Sequence, residues 1–168
     1  MQAKRTPRAR AGEPRPRTRR RPQADSVERT LQQVGDDWTF LILREAFFGV
    51  RRFDELQRNL SAAPSILSQR LRRLVAHGIL ARVRYQERPP RSEYRLTEKG
   101  LDLYPVIVLM MRWGDRWLDG GRGPPLRLRH LSCGHDMRPR LTCDGCGEPV
   151  EARDVEWRGG RGAAPAGR

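Results

Sequence analysis

Cysteine is scarce and late in this chain. Three cysteines occur in 168 residues, and none precedes Cys133. In the reducing interior of a cell such a chain carries no disulfide framework. Long apolar runs are missing as well. Nothing approaches the roughly 20 residues that span a bilayer, so a soluble protein with no membrane partner is expected. The basic N-terminus has no apolar segment behind it and does not read as a secretory signal. No glycine-rich phosphate loop, nucleophile elbow or paired carboxylates occur, and two of the three histidines stand beside cysteines. That speaks against an enzyme. Acidic residues are outnumbered 20 to 34, which leaves a net charge of +14. The expected partner is therefore a polyanion, and the expected location is the cytoplasm, at the nucleoid.

What is present centres on residues 64–80, PSILSQRLRRLVAHGIL. Leu67, Leu71, Leu74 and Val75 recur at helical spacing and make one apolar face. Pro64 suits a first helical position, and Gly78 a position just past the end. The opposite face carries Ser65, Gln69, Arg72 and Arg73, with Ser68 at its edge. Gln pairs bidentately with adenine and Arg with guanine, so such a face can read a major groove. A solvated amphipathic helix is the plainer meaning of the same pattern, and the flanking segments decide.

Residues 1–24 hold nine Lys and Arg against Glu13 alone, a net +8. With four prolines and no large apolar residue past Met1, they predict a disordered basic arm. The arm either grips phosphate or is an inert tail. Asp25 or Ser26 caps a helix to about Val34, and Asp36 or Asp37 caps the next. That second helix, WTFLILREAFF, is apolar on nearly every side and is expected to be buried all round. A short helix from Arg52 to about Leu60 and the turn Ser61–Pro64 complete a helix-turn-helix. Beyond Gly78 the period changes to that of strands. Residues 86–92 form a loop between them, with Arg88 and Arg91 at its tip, where a narrow minor groove attracts arginine. Thr97 caps one long last helix to Leu118, kinked at Pro105. Its surplus of apolar residues predicts a dimer seam, or else packing against the first two helices.

These residues together resemble the HxlR-type winged helix-turn-helix transcriptional regulators, relatives of the MarR group. The carrying segments are VERTLQQVGDDWTFLILREAFFGVRRFDELQ at 27–57, LSQRLRRLVAHGIL at 67–80 and PPRSEYRLTEKG at 89–100. The resemblance implies a dimeric DNA-binding regulator with one recognition helix per subunit, repression being the implied sign. One departure stands out. Many members of that family carry a cysteine just before the Val-Glu of the first helix, and some sense oxidants through it. Here the position is Ser26, so thiol sensing by this domain is excluded.

After a linker at 119–129 comes a second pattern: His130, Cys133-Gly134-His135, then Cys143-Asp144-Gly145-Cys146-Gly147. Cys-x2-Cys-Gly has the form of a zinc knuckle. Cys133 and His135 complete a structural Zn²⁺ site with Cys143 and Cys146, and His130 is a substitute ligand. The alternatives are a reduced thiol pair or a redox site, though no βαβ context supports the latter. The expected architecture is mainly α with a small β wing over 25–118, a zinc-ribbon-like tail over 130–157 and a disordered end over 158–168. The leading function is a sequence-specific regulator that binds double-stranded DNA as a homodimer. Ser65, Ser68, Gln69 and Arg72 read bases, and Arg73, Arg88 and Arg91 hold phosphates or the minor groove. The operator and any small-molecule effector are not specified by the sequence. A basic zinc-ribbon RNA-binding protein is the alternative, weakened by the scarcity of aromatics, 7%, for base stacking.

Overall fold

The computed structural model describes residues 25–156. The basic arm over 1–24 and the end over 158–168 lie outside the described residues, as does residue 157 of the tail. Helix α1 spans Ser26–Val34, α2 Asp37–Phe47, α3 Phe53–Leu60 and α4 Pro64–Ala76. Strands β1 (Leu80–Gln86) and β2 (Arg91–Leu96) follow, then α5 (Glu98–Leu101) and α6 (Tyr104–Trp117). Among the described residues no helix is long and apolar enough to cross a membrane.

Local chemistry sets the boundaries. The Asp25 carboxylate accepts the Glu28 N–H at 2.9 Å. Asp36 accepts the Thr39 N–H at 3.0 Å and its hydroxyl at 2.7 Å. Each aspartate satisfies a donor that the helix start leaves unpaired. Pro64 sits in the first turn of α4, and His77 is its C-cap. Gly78 then turns the chain with φ at +67°, a conformation glycine adopts without a Cβ clash.

The core is assembled from Ile42 and Leu43 on α2, Leu56 on α3, and Leu67, Leu71 and Leu74 on α4, with Ile79, Leu80 and Ile107 closing it. Helix α2 lies at the centre but is not buried all round: Leu41 and Phe48 are exposed, while Glu45 is buried. Its packing partners leave one side open. Glu45 is compensated by Arg44 and by the Asn59 amide, each 2.8 Å from a carboxylate oxygen. Burial without those partners would carry a large desolvation cost.

The expected long last helix is two helices. The chain breaks at Asp102–Leu103, and Pro105 falls in the first turn of α6. A proline there has no N–H to offer the carbonyl of Leu101 and its ring crowds that carbonyl, so the helix restarts rather than kinks. The wing is an antiparallel pair with Leu80 opposite Leu96 and Arg82 opposite Tyr94. Its turn is confined to residues 87–90, so the strands are longer than expected and Arg91 begins β2. A third backbone segment joins the wing: Arg52 bridges Glu93, and the Tyr94 N–H donates to the Arg51 carbonyl at 2.8 Å.

Helix α5 fastens the end of α4 to the wing. The Thr97 hydroxyl donates to the Gly78 carbonyl at 2.6 Å, and the Thr97 N–H to the Ile79 carbonyl at 3.1 Å. The Lys99 ammonium donates to the His77 carbonyl and to the Gln33 side chain of α1, both at 2.8 Å. A cation at those last carbonyls also complements the negative end of the α4 dipole.

Candidate nucleic-acid interface

Three leucines decide which way α4 faces. Leu67, Leu71 and Leu74 are wholly buried, so the helix cannot rotate without exposing them. Ser65, Gln69, Arg72 and Arg73 are thereby turned outward, with Ser68 half-buried beside them. The Arg72 Nε donates to the Ser68 carbonyl at 3.3 Å, so its resting guanidinium lies along its own helix. Arg73 sits on the flank. Its guanidinium donates to the Gln32 carbonyl at the end of α1, and its Nε lies 3.5 Å from His77 Nε2.

Arg70, in the middle of the same run, points inward. Its Nε lies 3.3 Å from Asp36 Oδ1, the cap of α2. The two charges are paired by distance without hydrogen-bond alignment. Arg70 is thus a strut between α4 and the start of α2. Its place at the border of the buried face, next to Leu71, is the only hint the sequence offers.

On the wing, Arg88 is exposed in the turn, where its carbonyl accepts the Gln86 amide at 3.0 Å. Arg91 is carried away from it onto β2. There it lines an open groove of about 570 Å³ with Arg52, Arg82, Asp54, Ser92 and Tyr85. Arg52 and Arg82 lay outside the sequence expectation. Arg52 stands 5.0 Å over the Tyr85 ring, which steers its guanidinium toward the wing. Three arginines against one aspartate give the groove an excess of positive charge. The alternation of Arg82 and Arg84 along β1 was the available signal; the joining of Arg52 was not readable locally.

Residues 33–122 match the HxlR-like helix-turn-helix family. The chain belongs to that family. It is 53% identical over 140 residues to an uncharacterised HTH-type transcriptional regulator of Mycobacterium tuberculosis, covering 83% of this chain and 89% of the relative. Its fold is similar to the solved structure of PA1607, a candidate transcription factor, with a TM-score of 0.73 and 35% identity over 80% of this chain and 94% of the other. It is also similar to the redox regulator HypR in its reduced form, with a TM-score of 0.52 and 36% identity over 55% of this chain and 92% of the other. This HxlR-type protein is a helix-turn-helix transcriptional regulator, and α3 and α4 are that motif. Its own winged domain has no cysteine, since Ser26 opens α1 and Cys133 is the first in the chain.

The tail places its candidate ligands in two pairs. His130 Nδ1 lies 3.2 Å from Cys133 Sγ. The Cys143 thiol is held below its ordinary pKa, chiefly by the backbone N–H of Cys146, then by that of Gly145 and by the Cys146 thiol. His135 offers its carbonyl to the His130 N–H at 2.9 Å. Among the described residues no three His, Cys, Asp or Glu side chains come together as a metal cluster.

Proposed function

We propose that this regulator is a sequence-specific repressor that binds double-stranded DNA as a homodimer, in the cytoplasm at the nucleoid. The outward row on α4 carries the reading: short donors and Arg72 project from a helix that three buried leucines hold at one angle. Ser65, Ser68, Gln69 and Arg72 meet base edges. Arg88 enters the minor groove, and Arg91, with Arg52 and Arg82, holds backbone phosphate. Arg73 supports the helix from α1 and reaches phosphate from its flank. Repression follows from the family resemblance, because a protein seated in the groove of a promoter excludes polymerase.

The dimer follows from unpartnered apolar surface. Val27 is 65% exposed and Leu31 52% on α1, and Trp113 is 59% and Trp117 61% on α6. Burying side chains of that size against a second copy stabilises a dimer strongly. Two recognition helices would then meet half-sites about 34–36 Å apart, or a multiple of that. The test is a gel shift on the chain's own upstream DNA with RNA as competitor, together with sedimentation. A shift resistant to RNA and a two-chain mass on one inverted repeat are expected. Equal competition by RNA would favour the RNA-binding alternative, and a monomer both free and on DNA would refute the assembly.

A further inference from the structure

The tail is two copies of one small hairpin. In the first, the Met137 N–H donates to the Leu128 carbonyl at 2.6 Å, and the His130 N–H to the His135 carbonyl at 2.9 Å. The Gly134 N–H returns to the His130 carbonyl at 2.8 Å. In the second, Val150 donates to Leu141 at 2.9 Å, Cys143 to Glu148 at 2.9 Å, and Gly147 to Cys143 at 2.7 Å. Residue 128 becomes 141, 130 becomes 143 and 134 becomes 147. The bridges repeat too, Arg129 with Asp136 and Thr142 with Pro149. Each turn closes on a glycine of almost the same conformation, φ +74° at Gly134 and +75° at Gly147.

This correspondence reassigns one residue. Cys143 is matched by His130, and Cys146 by Cys133. His135 falls opposite Glu148, past the turn. The second hairpin is Cys-x2-Cys-Gly, so the first is its His-x2-Cys-Gly counterpart. Each hairpin already holds its two candidate ligands side by side. The 3.2 Å between His130 Nδ1 and Cys133 Sγ is close to the spacing of two ligands on tetrahedral zinc, about 3.4–3.8 Å from the usual bond lengths.

We propose that His130, Cys133, Cys143 and Cys146 of one chain bind a single structural Zn²⁺, with His135 outside the ligand set. On binding, the three thiols release their protons to solvent, and neutral His130 donates a ring-nitrogen lone pair. The metal draws the two pairs together. Among the described residues of the tail no apolar side chain is fully buried, and Leu131 is 93% exposed, so a buried apolar core does not hold the two hairpins together. Three thiolates and one Zn²⁺ leave a single negative charge, and the arginines of the tail offset it. Arg129 also fixes the first turn, donating to the Gly134 carbonyl at 3.0 Å. Between the hairpins the Pro139 carbonyl accepts from the Arg112 guanidinium of α6 at 2.8 Å, so the module is fastened to the regulator's last helix.

The test is metal content of the full chain, purified without chelator and refilled with zinc, with far-UV circular dichroism as a control for the helical domain. One zinc per chain is expected for the parent protein and for His135→Ala. His130→Ala and Cys143→Ser should hold well under one, with the helical signal unchanged. His130→Cys provides a gain rather than a loss. It should keep one metal and, with cobalt in place of zinc, raise the thiolate-to-metal absorption by about a third, from three thiolates to four. His135→Cys should leave that absorption unchanged. The assignment is overturned if His135→Ala loses the metal while His130→Ala keeps it, if the parent protein holds well under one equivalent, or if half an equivalent per chain shows a site shared between two chains.

Discussion

Gly100→Ala sets two effects of opposite sign against each other. Alanine is favoured over glycine inside a helix by about 1 kcal/mol. At Gly100, however, an added Cβ collides with the Ile79 carbonyl oxygen and lies 3.3 Å from its carbon and 3.0 Å from Leu96 Cδ2. The Leu96 methyl can turn aside. The carbonyl cannot, because the Thr97 N–H and hydroxyl both hold it at 3.1 Å. An ordinary C···O separation requires it to withdraw by roughly 1 Å. Overpacking of this kind costs about 1–3 kcal/mol, and each weakened hydrogen bond adds about 1 kcal/mol. The expected net loss is therefore about 2–4 kcal/mol, read as a lower urea midpoint at unchanged slope and a fall in Tm of roughly 10–30 °C. Gly114→Ala on α6 is the companion. Its Cβ meets nothing within 4 Å, so a gain of about 0.5–1 kcal/mol is expected. A Gly100→Ala protein as stable as its parent would refute the reasoning, because helix propensity would then have outweighed the clash.

Three further outcomes are expected. Glu45→Ala leaves the Asn59 amide without its carboxylate and should cost about 2 kcal/mol in urea unfolding; a midpoint equal to the parent's would reduce the buried pair to a surface one. Arg72→Ala should cost about 1–3 kcal/mol on the specific site and relax preference at one base pair, whereas Arg88→Ala should weaken all duplexes more evenly. Equal losses on specific and random DNA would make Arg72 a phosphate contact. Deleting residues 1–24, with their net +8, should flatten the salt dependence of DNA binding by about 0.9 of a log-log unit for each phosphate contact removed. An unchanged slope would mark the arm as inert.

The sequence by itself determined the first four helices, the candidates for their caps and the orientation of α4, though not the break between α5 and α6. These are local matters: a 3.6-residue apolar period, a carboxylate before a helix, a glycine or proline at an end. Leu67, Leu71 and Leu74 had to face inward, so Gln69 and Arg72 had to face outward. Tertiary structure decided what depends on distant partners. Arg70 looks like its neighbours in sequence, yet Asp36, far earlier in the chain, turns it inward. Glu45 is buried because Arg44 and Asn59 are placed to receive it. Arg52 joins Arg82 and Arg91 only because a backbone bridge to Glu93 lays its segment along the wing. The sequence put His135 in the zinc set and left His130 as its substitute. Only the hydrogen-bond pattern of the two hairpins separates them, because position relative to the turn, not distance along the chain, determines which side chain stands beside its cysteine.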